Sequence, residues 1–541
     1  MKTEAILVAV LLASTASAQP RHHHKEVAQS EDDTSDQDAE PGDGPEAKAV
    51  LPIKLDDLIE AAVQRAPDLA RAKIDRTTAK ESALGARRDQ AWVMTSHAEY
   101  NRSAVADHVE VPPFSVVAQD QVSGGIGLQK KLPTGGAMSV EADLTHSNTE
   151  YNVYDRLYSG TGSAASAPAG TNPSGVPYEF MTQNQTALKA TFTQPLARGF
   201  GPDIALAPEH KADLAATEAT VKAQLAAEEM VRDLVVAYWE LAYASYEVDV
   251  RNQAVDLAQK QDQLTHEQIR AGSVPSTALG SVTYEISTRQ EALLRSQLTF
   301  EQKSLEMRQK AGLSIDRREI VLKPGEQFAI GDDEFDVDEV LARAHQANRQ
   351  LATVQLEKKL ADIDLDVARD QVKPQLDLQV QGALMGNGES TGESVNGVGD
   401  SFQVTVGVSM SFELSGAARH NRDAAEAKKH RLDVDRADLE RQIDVQVVTA
   451  VKQVTAGRTR VALADKAIQV AEDNVRAERA NFMVGRSTNF QVMQQQTQLI
   501  EARLAEGRAI ADYHEAVAQL QYLSGIILEQ YRVNVLPHHA D

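Results

Sequence analysis

Apolar and polar residues alternate without a break over residues 402–414. Phe402, Val404, Val406, Val408, Met410, Phe412 and Leu414 fall on one side, and Gln403, Thr405, Gly407, Ser409, Ser411 and Glu413 on the other. Period-two alternation predicts a strand with one face in an apolar medium and the other in water. The run is longer than the roughly five to six residues of a globular strand and long enough to cross a bilayer at a barrel tilt. Leu376, Leu378 and Val380 alternate with Gln375, Asp377, Gln379 and Gln381, and Val140, Ala142 and Leu144 with Glu141, Asp143 and Thr145. Strands are predicted near 92–103, 122–132, 138–145, 186–196, 375–384 and 402–414. The Gly/Ser-rich stretches 147–183 and 386–400 read as the long outer loops of a membrane barrel. A soluble sandwich also alternates. Aromatics near strand ends, such as Tyr100, Tyr151, Phe192 and Phe402, fit an interfacial girdle.

A second period follows. Val447, Val454, Val461, Ile468, Val475 and Phe482 recur every seven residues, as do Leu234, Leu241, Val248 and Val255. A sustained heptad marks left-handed supercoiling. A helix over 417–484 spans on the order of 100 Å. Trp239, Tyr238, Tyr243 and Tyr246 fall on one helix and are expected to pack near its barrel end, and His345 and His514 to be surface or core fillers.

The chain reads as two copies of one unit, repeats being the first thing to seek. An acidic helix start with an expected N-cap, Asp56 or Asp338, opens each. Strands, a long helix, a glycine turn and a second helix follow. The turns centre on Gly272 and Gly485, and the second helices end at Gly312 and Gly525, each forty residues beyond its turn glycine. The expected division is a signal peptide over 1–18, a disordered acidic linker over 19–50, repeats over 51–325 and 326–530, and a tail over 531–541. Copy one holds surplus residues near its strands, including an extra hairpin turning at 132–136.

Lys2, the apolar run 5–12 and Ala16-Ser17-Ala18 read as an export signal. The chain has no cysteine and a net charge of −24, which argues against disulfides and against a nucleic-acid partner. The His22-His23-His24 tract is compatible with metal binding but reads better as an exposed processing segment. No catalytic, phosphate-binding or calcium-loop motif is legible, so neither an enzyme nor a cofactor is expected. The alternative reading is a soluble periplasmic coiled-coil scaffold or adaptor.

Together the export signal, the duplicated strand–helix–turn–helix unit, the segment Gln194-Pro195-Leu196-Ala197-Arg198-Gly199-Phe200-Gly201 and the paired turns resemble the TolC-type outer-membrane efflux family. The resemblance implies an α+β membrane protein: a homotrimeric transmembrane β-barrel continued by a long α-helical coiled-coil periplasmic tunnel. It implies the passive, gated outer-membrane channel of a tripartite efflux or type I secretion system in a Gram-negative bacterium. Its partners would be outer-membrane lipid, a periplasmic adaptor and an inner-membrane transporter of the RND or ABC type. By the same resemblance Gly272, Ser273, Val274, Thr277, Gly485, Arg486, Ser487 and Thr488 form the docking and gating tips. Gln491 and Gln494 stand where the family often presents a ring of aspartates at the constriction. The resemblance implies four strands per subunit, a number this chain is set to exceed.

Overall fold

The computed structural model describes residues 49–104, 114–153, 178–272, 274–313, 320–331 and 334–534. The predicted signal peptide, the His22-His23-His24 tract, nearly all of the acidic linker and the last tail residues lie outside the described residues. Among the described residues six strands form one antiparallel sheet: β2 (Val93–Ala104), β3 (Phe114–Lys131), β4 (Ala137–Val153), β5 (Tyr178–Pro195), β7 (Gln375–Gly388) and β8 (Ser401–Ser411), in that order across it. A separate parallel pair joins β1 (Ala49–Ile53) to β6 (Ile320–Pro324).

Strand register separates the sheet's two faces. One row reads Met94, Leu128, Val140, Ala190, Gly382 and Val404 across the six strands, and the next apolar row Ser96, Ile126, Ala142, Leu188, Leu384 and Phe402. The row between them, on the opposite face, reads Thr95, Gly127, Glu141, Lys189, Ala383 and Gln403. Val404, Val406 and Val408 are 66%, 65% and 64% exposed in the protomer. So large an apolar surface calls for a non-aqueous neighbour.

The long alternation ends sooner than its pattern suggests. Strand β8 stops at Ser411 because Glu413 is used elsewhere: its carboxylate accepts from the Ala418 N–H at 3.1 Å, at the start of α9 (Ala417–Met483). A carboxylate is favoured at that helix end by the dipole. The predicted loop 147–183 also shrinks, since β4 runs to Val153 and β5 begins at Tyr178. Residues 386–400 contain a short helix, α8 (Thr391–Asn396), capped by Ser390 and Glu393. It lies so close to β7 that a Cβ on Gly386 would come within 2.1 Å of the Ser394 carbonyl.

Below the sheet stands a helical layer. Helices α1 (Leu55–Arg65) and α2 (Pro67–Arg88) precede β2, and α3 (Pro202–Ala205) leads into α4 (Ala207–Arg270) and α5 (Ala278–Lys310). Then come α6 (Val337–Ala347), α7 (Arg349–Gln371), α9, α10 (Asn489–Leu523) and α11 (Ile527–Gln530). The 67 residues of α9 give the expected ~100 Å. Helices α2 and α5 each pack on α4, and α7 and α10 each touch both α4 and α9. The heptad residues Val447, Val454, Val461, Val475 and Phe482 are buried at those contacts. Among the described residues no helix is long and apolar enough to cross a membrane.

Two expectations need correction. Asp56 and Asp338 are not N-caps but first-turn residues; the caps are Lys54 and Asp336, and Glu326 accepts from the Leu55 N–H instead. Trp239 and its neighbours do not pack at the barrel end of α4 but about halfway along it. There Trp239 stacks on His514 with centroids 3.5 Å apart, and Phe328 fills in beside Trp239 and Tyr246. The segment carrying Phe328 crosses the helices at this level, where the Tyr513 hydroxyl donates to the Gly331 carbonyl. His345 meets Asp444 at 2.6 Å. At the C-terminal end, Tyr531 and Val533 pack half-buried on the core.

Charge is concentrated at the same level. Arg508 on α10 donates to Glu240 on α4 at 2.6 Å, to Asp512 at 2.6 Å and to Glu515 at 3.2 Å. Burial, reinforced by Glu240, pushes the Glu515 carboxyl up to about 7. Burial likewise raises Glu228 to about 7 against the pull of Arg349. A carboxyl whose pKa is raised by folding holds more protons in the native state across that window, so its contribution favours the fold at low pH and is lost as pH rises toward 7. We expect the wild type to melt at a lower temperature at pH 8 than at pH 5.5, and Glu515→Gln to narrow that difference. Thermal unfolding at the two pH values checks this; identical pH dependence in both proteins would contradict it.

Candidate functional site

Two junctions define the long axis of the subunit. At the upper one, the Gln194–Gly201 segment turns β5 into α4. The Gln194 amide donates to the Thr134 carbonyl at 3.1 Å, and the Gly201 N–H donates to the same carbonyl at 3.1 Å. The Gly199 N–H donates to the buried Asp370 carboxylate at 2.6 Å, whose other oxygen accepts from Lys373. A Cβ on Gly135 would lie 2.0 Å from the Gly199 carbonyl. This knuckle fixes the β3–β4 turn, the start of α4 and the end of α7 to one another, so the sheet cannot swing on the helices.

At the opposite end lie the two helix turns. Helix α9 closes in a Schellman motif: the Arg486 N–H donates to the Asn481 carbonyl at 2.8 Å and the Gly485 N–H to Phe482 at 3.1 Å. Gly485 has φ +74° and Gly272, after α4, φ +73°. Nothing stands within 4 Å of a Cβ at either, so glycine is required by the left-handed backbone and not by crowding. Gly312 and Gly525 share that conformation but are crowded, by Arg65 and Ala347 respectively. Thr488 caps α10 in a reciprocal capping box, its N–H donating to Gln491 Oε1 at 3.2 Å. Ser487 donates to Glu478 and, at 3.1 Å, to Gln491.

Each predicted tip residue can now be placed. Gly272, Thr277, Gly485, Arg486 and Thr488 are exposed, Val274 and Ser487 half-buried; Ser273 lies outside the described residues. Gln491 is engaged in the cap, while Gln494, also exposed, sits on the body of α10. Two features escaped sequence reading. Met483, Val484 and Phe490 form an apolar rim at the second turn, 63%, 68% and 70% exposed. Above it lies a buried polar joint. Asn489 Oδ1 accepts from Gln261 at 2.7 Å and from Thr265 at 3.2 Å. Arg289 donates to the Ala254 carbonyl at 3.0 Å, to Gln496 at 3.1 Å and to Glu285 at 2.8 Å.

That joint links α4, α5 and α10 near the tip, and it is incompletely satisfied. Gln261 Oε1, Arg289 Nη2, Asn489 Nδ2 and Gln496 Nε2 are buried without a hydrogen-bond partner. A buried polar atom left unpaired costs about 1–3 kcal/mol. The contact between α4/α5 and α10 is therefore weak here compared with the heptad-packed stretch above. A signal was present in the sequence: the 3–4 stripe Ala254, Ala258, Gln261, Thr265 turns from apolar to polar toward the turn.

Residues 340–526 match the outer membrane efflux protein family. The fold is similar to that of the outer membrane protein VceC of Vibrio cholerae, at 14% identity and TM-score 0.63, over 87% of this chain and 96% of that one. It is also similar to the CmeC outer membrane channel of Campylobacter jejuni (12% identity, TM-score 0.63, 87% of this chain, 85% of that one). A third likeness is to the MtrE outer membrane channel of Neisseria gonorrhoeae in its open state (13%, 0.61, 87% and 89%). No curated protein sequence matches the chain. The fold is thus that of outer-membrane channels. Residues 340–526 carry the match to the outer membrane efflux protein family, and the likeness to the channels extends over most of the chain as a likeness of fold.

The tip geometry makes a specific forecast. A β-branched residue in the left-handed region costs about 1–2 kcal/mol, whereas asparagine tolerates it better. Gly485→Val should speed amide exchange across the α9–α10 turn by about tenfold, and Gly485→Asn should have a much smaller effect. Hydrogen exchange by mass spectrometry reads both; equal protection in Gly485→Val and wild type would contradict the assignment.

Proposed function

We propose that this chain is the outer-membrane duct of a tripartite export system, assembled from three copies and held shut at its helical tips until a periplasmic adaptor engages them. The observation that carries the reading is the amphipathic six-stranded sheet. Its edges, β2 and β8, each pair on one side only. Six strands fall below the eight of the smallest bacterial barrels, and open edges cannot face lipid, so further copies must complete the sheet.

The helical layer supports the same seam. Its end helices carry apolar residues that the protomer leaves uncovered: Val434, Val445, Leu463 and Val470 on α9, and Tyr284, Leu294, Leu298 and Leu305 on α5. Helix α9 continues from the β8 edge, and α2, which leads into β2, packs on α4 as α5 does. A second copy laid edge to edge would therefore bring apolar helix stripes together below the paired strands. Repeats 51–325 and 326–530 would each supply strands to the barrel and a helical pair to the tunnel.

At the inner end, the turns around Gly272, Val274 and Thr277 and around Gly485, Arg486, Ser487 and Thr488 would dock the adaptor, with Met483, Val484 and Phe490 as apolar anchors. The half-satisfied joint of Gln261, Asn489, Arg289 and Gln496 is where the helical pairs part. A transporter of the RND or ABC type in the inner membrane would supply cargo and energy. Amides at Gln491 and Gln494 attract cations less than carboxylates do. Under a salt gradient, the single-channel reversal potential should show only weak cation preference; a strong preference would remove Gln494 from the constriction.

Membrane extraction tests the proposal against the scaffold alternative. The duct should resist high-salt and carbonate washes, leave the membrane only in detergent, and sediment as three copies. Release by salt as a monomer would make the sheet a soluble one and favour the scaffold.

A further inference from the structure

We propose that three copies close an eighteen-stranded barrel, β8 of each protomer pairing with β2 of the next, so that the barrel admits bulky hydrated cargo. The inference rests on the three-copy duct proposed above and adds the strand count and the pairing edges. Four of the six strands precede α4 and two follow α7, so the strands beyond four lie in the first half; at the sheet's free edge they form the β2–β3 hairpin, next to the β3–β4 turn at 132–136. Either that hairpin is part of the barrel wall or it folds aside and leaves β4 as the pairing edge.

The structure favours the wall. The β2–β3 ladder is continuous from Val93↔Gln129 to Ala104↔Ala118, and β3 pairs with β4 along almost its whole length. Both faces continue into the hairpin. Met94 and Tyr100 extend the apolar face, 70% and 63% exposed, while Thr95, His97 and Glu99 extend the polar one. Folded aside into water, Val122, Ile126 and Leu128 would lose the medium their exposure calls for.

The hairpin is also tied to β4 and β5. Gly125 stands between His97 on β2 and Asp143 on β4. With no side chain there, His97 Nε2 comes within 3.7 Å of Asp143 and Nδ1 within 3.6 Å of Glu141. A Cβ on Gly125 would sit 2.2 Å from Asp143 Oδ1 and 2.6 Å from His97 Cε1. Asp143 is held in turn by Lys189 of β5 at 2.7 Å. One polar chain therefore spans β2 to β5 across the sheet's inner face.

Width follows from strand number. With strands about 4.8 Å apart and tilted about 40°, eighteen strands give a backbone diameter of about 36 Å and twelve about 24 Å. On the polar face the small residues Gly125, Gly127, Ala383 and Gly407 stand among the longer Glu141, Lys189 and Gln403.

The chain has no native cysteine, which makes the test direct. In the full-length protein in its membrane, Thr405→Cys on β8 is paired in turn with Thr95→Cys, Glu99→Cys or Asn101→Cys on β2. A second set pairs it with Ser139→Cys, Glu141→Cys or Thr145→Cys on β4. Oxidation should convert at least one β8–β2 pair into a covalent trimer on a non-reducing gel and leave every β8–β4 pair uncrosslinked. Trimers from β8–β4 pairs alone would overturn the proposal while leaving the three-copy duct intact. A detergent-stable trimer that crosslinks in neither set would overturn the edge pairing, and a monomer throughout would overturn the duct reading with it.

Discussion

The backbone hydrogen-bonding requirement of a strand in an apolar medium constrains everything else in this molecule. Each unpaired N–H or C=O facing lipid costs several kcal/mol. A sheet with one apolar face and two open edges is consequently incomplete by itself. In the proposed assembly, completion by copies of the same chain dictates that the surfaces below the edges be complementary too. The uncovered apolar residues of α5 and α9 satisfy that demand at the two ends of the helical layer. One physical rule thus runs from the strand pattern to the assembly.

The remaining architecture transmits geometry from that sheet to a distant end. The knuckle of Gln194, Gly199, Thr134 and Asp370 locks strand direction to helix direction, and heptad residues are buried along α9 and the middle of α4. Near the turns the packing code changes. Buried amides and an arginine replace apolar residues, leaving unpaired polar atoms. Firm packing above and a loose joint below suit a duct whose wall is permanent and whose tip moves.

Much of this was legible in the sequence. Alternation over 402–410 identified a strand and its apolar face because no other structure has that period, and heptads over 447–482 identified the longest helix. The glycines at 272 and 485 were found by their spacing from 312 and 525, and all four adopt positive φ. Misreadings occurred where a residue served a tertiary partner. Glu413 looked like one more strand position but holds the start of α9. Asp56 looked like a cap, while the partner of that helix end, Glu326, is far away in sequence. Trp239 was placed by proximity to the barrel, whereas its position is set by Phe328 and His514 from distant segments. The polar joint was hidden because Asn489 and Gln496 sit on another helix from Gln261.

Planar-bilayer conductance of the detergent-extracted full chain, before and after the polar joint is removed by Arg289→Met with Asn489→Ala, tests the central claim most directly. A sealed membrane duct gated at its tip predicts discrete openings that are small in the wild type and several-fold larger in the double variant. A protein that is electrically silent in both forms, or whose openings are unchanged by the double substitution, would contradict the account.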